Sequence, residues 1–158
     1  MTAAHDSMPG HLLRRCHQIA VAIFLDECAG LDLTPLQFAV LDSLHGNGPQ
    51  DQVTLGGAAA LDRTTISTLL RKLEARGLVR RARCTRDQRA NIVTLTAAGK
   101  RLVLRAMASV EAAQQRILAP LGKAEQAQLI KLLQKLAHGN NALSRAPVKA
   151  ATGKSGSE

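Results

Sequence analysis

Over residues 11–29, Leu12, Leu13, Cys16, Ile19, Ala20, Ile23 and Phe24 return every three or four positions. That is the stripe of an amphipathic helix, which Gly30 then closes. Thr34-Pro35 opens a second helix to about residue 45, with a capping hydroxyl followed by proline at the first helical position. Gly46-Asn47-Gly48-Pro49 is a turn, and residues 53–61 form a short Ala-rich helix whose small side chains permit close packing. Asp62 caps a fourth helix with Ile66, Leu69, Leu70 and Leu73 on one face, ended by Gly77. The period then changes: residues 78–83 and 90–95 read as short strands joined by the polar turn 84–89, a β-hairpin with a cationic tip. Thr96 caps a long helix over 97–118, and a last helix over 124–138 carries Leu129, Ile130, Leu132, Leu133 and Leu136, more apolar surface than one stripe needs. Residues 1–10 are expected to be a flexible N-terminus and 139–158 a disordered tail.

A chain of 158 residues suits one domain. With two Phe and no Trp or Tyr, its core falls to Leu, Ala, Val and Ile. Three scattered cysteines without a C-x-x-C pair signal neither a disulfide framework nor a zinc site, and the histidine spacing fixes no metal. A reducing cytoplasm is expected, with no membrane partner, since no apolar run approaches the length of a span and no signal-peptide pattern opens the chain. Cofactor and catalytic motifs are also missing: there is no P-loop, G-x-S-x-G, H-E-x-x-H or dinucleotide turn, so an enzyme is not expected.

The net charge of +9 is concentrated. Residues 62–105 hold twelve Lys or Arg against three acids, and the remaining charges balance, so the whole excess falls in 44 residues. A polyanion-binding face is implied. Within it, the polar side of the fourth helix carries Arg63, Thr64, Thr65, Ser67, Thr68, Arg71 and Lys72, hydroxyls and cations suited to base edges and phosphates. Arg83 and Arg86 add charge on the hairpin. A short helix, a tight turn, a cationic helix and a basic hairpin form the winged helix-turn-helix order, in which the second helix enters the major groove and the hairpin reaches a minor groove. The lack of aromatics leaves single strands nothing to stack on, which favours duplex DNA.

The run from Leu61 through Asp62-Arg63-Thr64-Thr65-Ile66-Ser67 to Gly77-Leu78-Val79, then Asp87-Gln88-Arg89 and Leu95-Thr96-Ala97-Ala98-Gly99, resembles the recognition helix, wing and fifth-helix start of MarR-type regulators. The likeness extends over residues 11–138. It implies a mainly α fold with a small β-hairpin wing: a DNA-binding lobe over about 34–96 and dimerisation helices over about 11–30 and 97–138. A homodimer would face a pseudo-palindromic operator with two recognition helices and two wings. By that likeness Arg89 enters the minor groove, with Asp87 bracing it or a neighbouring arginine. The family's wing often reads D-P-x-D-R-R, whereas this one reads Cys84-Thr85-Arg86-Asp87-Gln88-Arg89.

Many such regulators are repressors released by a small aromatic carboxylate. On the first helix, His11, Arg15 and Gln18 fall at i, i+4 and i+7, a strip that fits a carboxylate and equally a solvated face; His17 and His45 are further ligand candidates. Some members instead sense peroxide through a first-helix cysteine, which makes Cys16 a redox candidate, although those sensors use tyrosines and this chain has none. Cys16 and Cys28 otherwise read as buried small hydrophobes. A non-sequence-specific architectural DNA protein remains a rival reading, distinguished by its indifference to DNA sequence.

Overall fold

The computed structural model describes residues 4–85 and 91–148 of the chain. Helix starts follow capping chemistry. α1 (Pro9–Glu27) opens with Pro9 at its first position, behind a 3-10 turn at Ala4–Ser7. Of the expected flexible residues 1–10, the described ones are therefore structured; proline and glycine read as breakers there, yet proline is preorganised for a first helical turn. α2 (Pro35–Asn47) begins with a reciprocal capping box: the Gln37 amide donates to Thr34 Oγ1 at 3.3 Å, and the Thr34 amide donates to Gln37 Oε1 at 3.0 Å. A two-residue strand, β1 (Gln50–Asp51), leads into α3 (Gln52–Ala58), where the Thr54 amide donates to Asp51 Oδ1 at 2.9 Å. The sequence pattern does not reveal β1, because two residues cannot display a period.

The turn from α3 into α4 (Arg63–Ala75) closes on α3's own carbonyls, the Leu61 amide donating to Gly56 O at 2.8 Å while Ala60 takes a left-handed φ of 54°. Gly56 permits this approach, since a Cβ there would stand 3.1 Å from Leu61 O and 3.3 Å from Ile66 Cγ2. As expected, Asp62 caps α4, accepting from the Thr65 amide at 2.8 Å, and Gly77 ends it at φ 68°.

β2 (Val79–Arg83) and β3 (Asn91–Leu95) pair antiparallel from Val79↔Leu95 to Arg83↔Asn91, and β1 joins the other edge of β3 through Gln50↔Val93. The hairpin is thus part of a three-stranded sheet in the order β1-β3-β2. Thr96 caps α5 (Ala97–Leu118), and α6 (Lys123–Gly139) follows.

One apolar core joins Val40, Leu41 and Leu44 of α2, Leu55 of α3, the four leucine and isoleucine positions of α4, Val79, Val93, and Val103 and Ala106 of α5. α1 docks outside it. Phe24 stacks tilted against Phe38 with ring centres 6.2 Å apart, and Arg116 of α5 bridges Asp26 and Glu27 at the end of α1, the Glu27 contact being 3.0 Å. None of the residues of α6 is buried, and Ile130, Leu132, Leu133 and Leu136 lie exposed along it. Beyond it, where a disordered tail is expected over 139–158, residues 140–148 form a turn with a 3-10 segment at Asn141–Leu143. Both halves of the Asn141 amide grip Val148, Nδ2 donating to its carbonyl at 3.0 Å and Oδ1 accepting from its amide at 2.8 Å. The remaining tail lies outside the described residues. Among the described residues no helix is long and apolar enough to cross a membrane.

Candidate DNA interface

Helical spacing sorts the side chains of α4. With Ile66, Leu69, Leu70 and Leu73 buried in the core, Thr64, Thr68 and Arg71 occupy the centre of the opposite face. Arg63 and Ser67 flank that face on one side, Thr65 and Lys72 on the other. Arg63, Thr64, Thr68, Arg71 and Lys72 are exposed, while Thr65 and Ser67 are half-buried. Hydrogen bonds from the Thr65 amide and hydroxyl, aided by the Thr64 amide and the charge of Arg145, hold the Asp62 carboxyl below its ordinary range. The first turn of α4 is therefore fixed by an ionised cap, and the face presented outward carries hydroxyls and cations.

The wing is pinned to this helix by one carboxylate that the sequence reading missed. Glu74 Oε2 accepts from Arg81 Nε at 2.9 Å and from its terminal nitrogen at 2.6 Å, while Oε1 accepts from the Arg81 backbone amide at 3.1 Å. Since β2 lies at the sheet edge, Glu74 also covers an edge amide that would otherwise point outward. The Arg81 contacts lower the Glu74 pKa from its usual 4.5. By linkage, that contribution is present in full above about pH 4.5 and is lost as the pH falls through the depressed folded value.

Of the ten described cations of this stretch, two are thus engaged in ion pairs: Arg81 on Glu74, and Arg76 at 3.4 Å from Asp32. Among the described residues no ion pair holds Arg63, Arg71, Lys72, Arg80 or Arg83. Arg83 is exposed at the end of β2, and Cys84 beyond it is half-buried. Arg86, Asp87 and Arg89 of the wing lie outside the described residues. Replacing Glu74 with Ala is expected to deprotect the Arg81 amide by at least tenfold in hydrogen exchange while the α4 amides keep their protection. Unchanged exchange at Arg81 would show that the sheet alone holds the wing.

The ligand candidates do not converge as the sequence spacing suggests. Arg14, rather than Arg15, lies between the other two members of the strip, with nitrogens 3.5 Å from His11 Nδ1 and 3.5 Å from Gln18 Oε1. The helix wraps Arg15 onto a neighbouring exposed position, and His17 is likewise exposed. His45 stands in a different place, a groove of about 270 Å³ shared with Leu44, Gly48, Pro49, Lys100 and residues 94–97 at the β3–α5 junction. Cys28 is buried, and its thiol pKa is raised by burial and by Glu27. Cys16, by contrast, is exposed rather than buried in the chain.

Residues 33–90 match the model of the MarR family. The chain is 33% identical over 127 residues to the HTH-type transcriptional repressor NicR of Pseudomonas putida, a match covering 80% of each. Among solved structures it is similar to Bordetella bronchiseptica BpsR, whose DNA binding is regulated by 6-hydroxynicotinic acid, with a TM-score of 0.81 and 33% identity over 87% of this chain and 98% of that one. It is also similar to the PcaV transcriptional regulator of Streptomyces coelicolor in complex with its natural ligand, with a TM-score of 0.80 and 32% identity over 87% and 96%. With its exposed hydroxyl-and-cation helix, pinned wing and these relatives, the chain belongs to the MarR family.

Proposed function

We propose that this protein is a transcriptional repressor that binds a pseudo-palindromic operator as a homodimer and leaves it when a small aromatic acid binds. The observation that carries the reading is α4: its buried face holds the core, and the side chains of Thr64, Thr68 and Arg71 stand exposed on its outward face. Arg63, Thr65, Ser67 and Lys72 border that face and reach the groove edges and phosphates. Arg83, Arg86 and Arg89 of the wing reach the adjacent minor groove, with Asp87 bracing Arg89. A cytoplasmic setting belongs to the same reading.

The aromatic acid is supported by the relatives: BpsR responds to 6-hydroxynicotinic acid. In this chain His11, Arg14 and Gln18 on α1 and His45 with Lys100 at the groove offer cationic and hydrogen-bonding groups for a carboxylate.

The test is fluorescence anisotropy on the promoter DNA of the protein's own gene, beside scrambled DNA, across a salt series. Tight binding to the promoter alone, released by one member of a panel of aromatic acids, is expected. Lys72→Ala is expected to flatten the plot of log affinity against log salt by about 2, because a dimer loses two phosphate contacts. Equal, steeply salt-dependent binding to both DNAs would establish an architectural protein instead. Release by peroxide alone, abolished in Cys16→Ser, would replace the acid with redox control.

A further inference from the structure

The turn over residues 140–148 does not trail away from the protein. Its Pro147 carbonyl lies against α3, 3.7 Å from where a Cβ on Gly57 would stand. The Asn141–Val148 hydrogen bonds close the turn, and the Ala146 amide donates to Ser144 Oγ at 3.1 Å, fixing the bend on either side of Arg145. Arg145 is exposed and is the one charged residue of the segment. It is near enough to Asp62 to act on that carboxylate electrostatically, yet among the described residues it forms no ion pair. Asp62 is itself occupied as the cap of α4.

We propose that this C-terminal turn is a DNA-contacting arm, which seats Arg145 over the α3–α4 turn so that its guanidinium takes a backbone phosphate flanking the major groove. The proposal rests on the DNA-binding reading above and adds a contact to it. In a helix-turn-helix the first helix crosses the DNA backbone and the start of the second enters the groove, so a cation held over the junction of the two meets the phosphate ridge. Arginine suits that place, because its planar fork pairs with two phosphate oxygens. It also offsets the negative charge of Asp62, which a phosphate must approach.

The full-length protein, Arg145→Ala, Arg145→Lys and Asn141→Ala are compared on promoter and scrambled duplexes across a salt series, with thermal unfolding of each variant measured in parallel. Arg145→Ala is expected to lower the magnitude of the salt slope by about 2, one phosphate per protomer, on both DNAs. Arg145→Lys should keep the slope, and Asn141→Ala, which opens the turn, should reproduce the loss at an unchanged thermal midpoint. An Arg145→Ala slope equal to that of the parent overturns the arm, and a lowered midpoint with that same slope would make Arg145 a brace for Asp62. Failure of the DNA-binding reading is seen separately: the parent protein itself would then bind neither duplex. A parent that binds both alike loses sequence specificity but still reports the arm through the slope.

Discussion

Gly99→Ala is expected to destabilise the protein by about 3 kcal/mol or more, at the upper end of what overpacking costs. A Cβ at Gly99 would stand 2.2 Å from the Leu78 carbonyl oxygen, 2.7 Å from Leu95 Cδ1 and 3.1 Å from Leu78 C. The first and last of these are backbone atoms and cannot rotate away. Leu78 O is further tied down by the Thr96 amide at 3.1 Å and the Thr96 hydroxyl at 3.0 Å, and the same hydroxyl also reaches Gly77 O at 2.7 Å. Thr96 Oγ1 in turn caps α5 by accepting from the Gly99 amide at 3.1 Å. Relief of the clash therefore requires the start of α5 to separate from the end of α4, which breaks the cap and opens the core at Val103. Urea unfolding of Gly99→Ala beside Gly46→Ala is the measurement. Gly46 lies within α2 with open space around its Cβ position, so alanine there should stabilise by up to about 1 kcal/mol. Equal midpoints for the two variants would show that the α4–α5 junction yields.

Leu133→Glu combined with Leu136→Glu is expected to leave a folded monomer whose operator affinity is lower by about a hundredfold or more. α6 has no buried residue in the chain, and Ile130, Leu132, Leu133 and Leu136 add to Leu12, Leu13 and Ile19 exposed on α1. Apolar surface of that extent marks an association surface, and the second copy of this chain is the occupant that supplies two recognition helices. Linking two half-site contacts makes the second one intramolecular, an advantage of about 10² to 10⁴, and the double variant forfeits it. Since neither leucine belongs to the buried core, circular dichroism should still show the parent helix content. Sedimentation and anisotropy decide: a variant that remains dimeric with parental affinity would move the subunit interface off α6.

Much of this architecture was legible because capping and periodicity are local. Thr34, Asp62, Thr96 and Gly77 each mark a helix end through one side chain or one backbone angle, and β2 and β3 begin within a residue of their predicted starts. The exposed hydroxyl-and-cation side of α4 was legible for the same reason. What escaped is of two kinds. β1 and the left-handed Ala60 are too brief to leave a pattern. The pairing of Glu74 with Arg81, of Arg76 with Asp32, and the seating of Arg145 near Asp62 depend on which loops meet, which no periodicity encodes. The charge count was right as a sum, but it treated Arg76 and Arg81 as available when both are engaged. On α1, spacing alone did not separate Arg14 from Arg15; the rotamers that close on His11 and Gln18 did.

α5 is held at both ends, by Thr96 and Gly99 at the DNA-binding lobe and by Arg116 on Asp26 and Glu27 at the foot of α1. The helix runs 22 residues without a proline and with no glycine beyond the first turn, a rod of about 33 Å. Such a rod has no joint at which to absorb a displacement. A tilt of about 5° carries its far end through about 3 Å, so a molecule wedged beside α1, as proposed above, would be converted, without amplification by any flexible part, into a change in the separation of two recognition helices. Spacing along the DNA would then be the quantity the effector writes, and a helical repeat that no longer matches would be how the operator reads it.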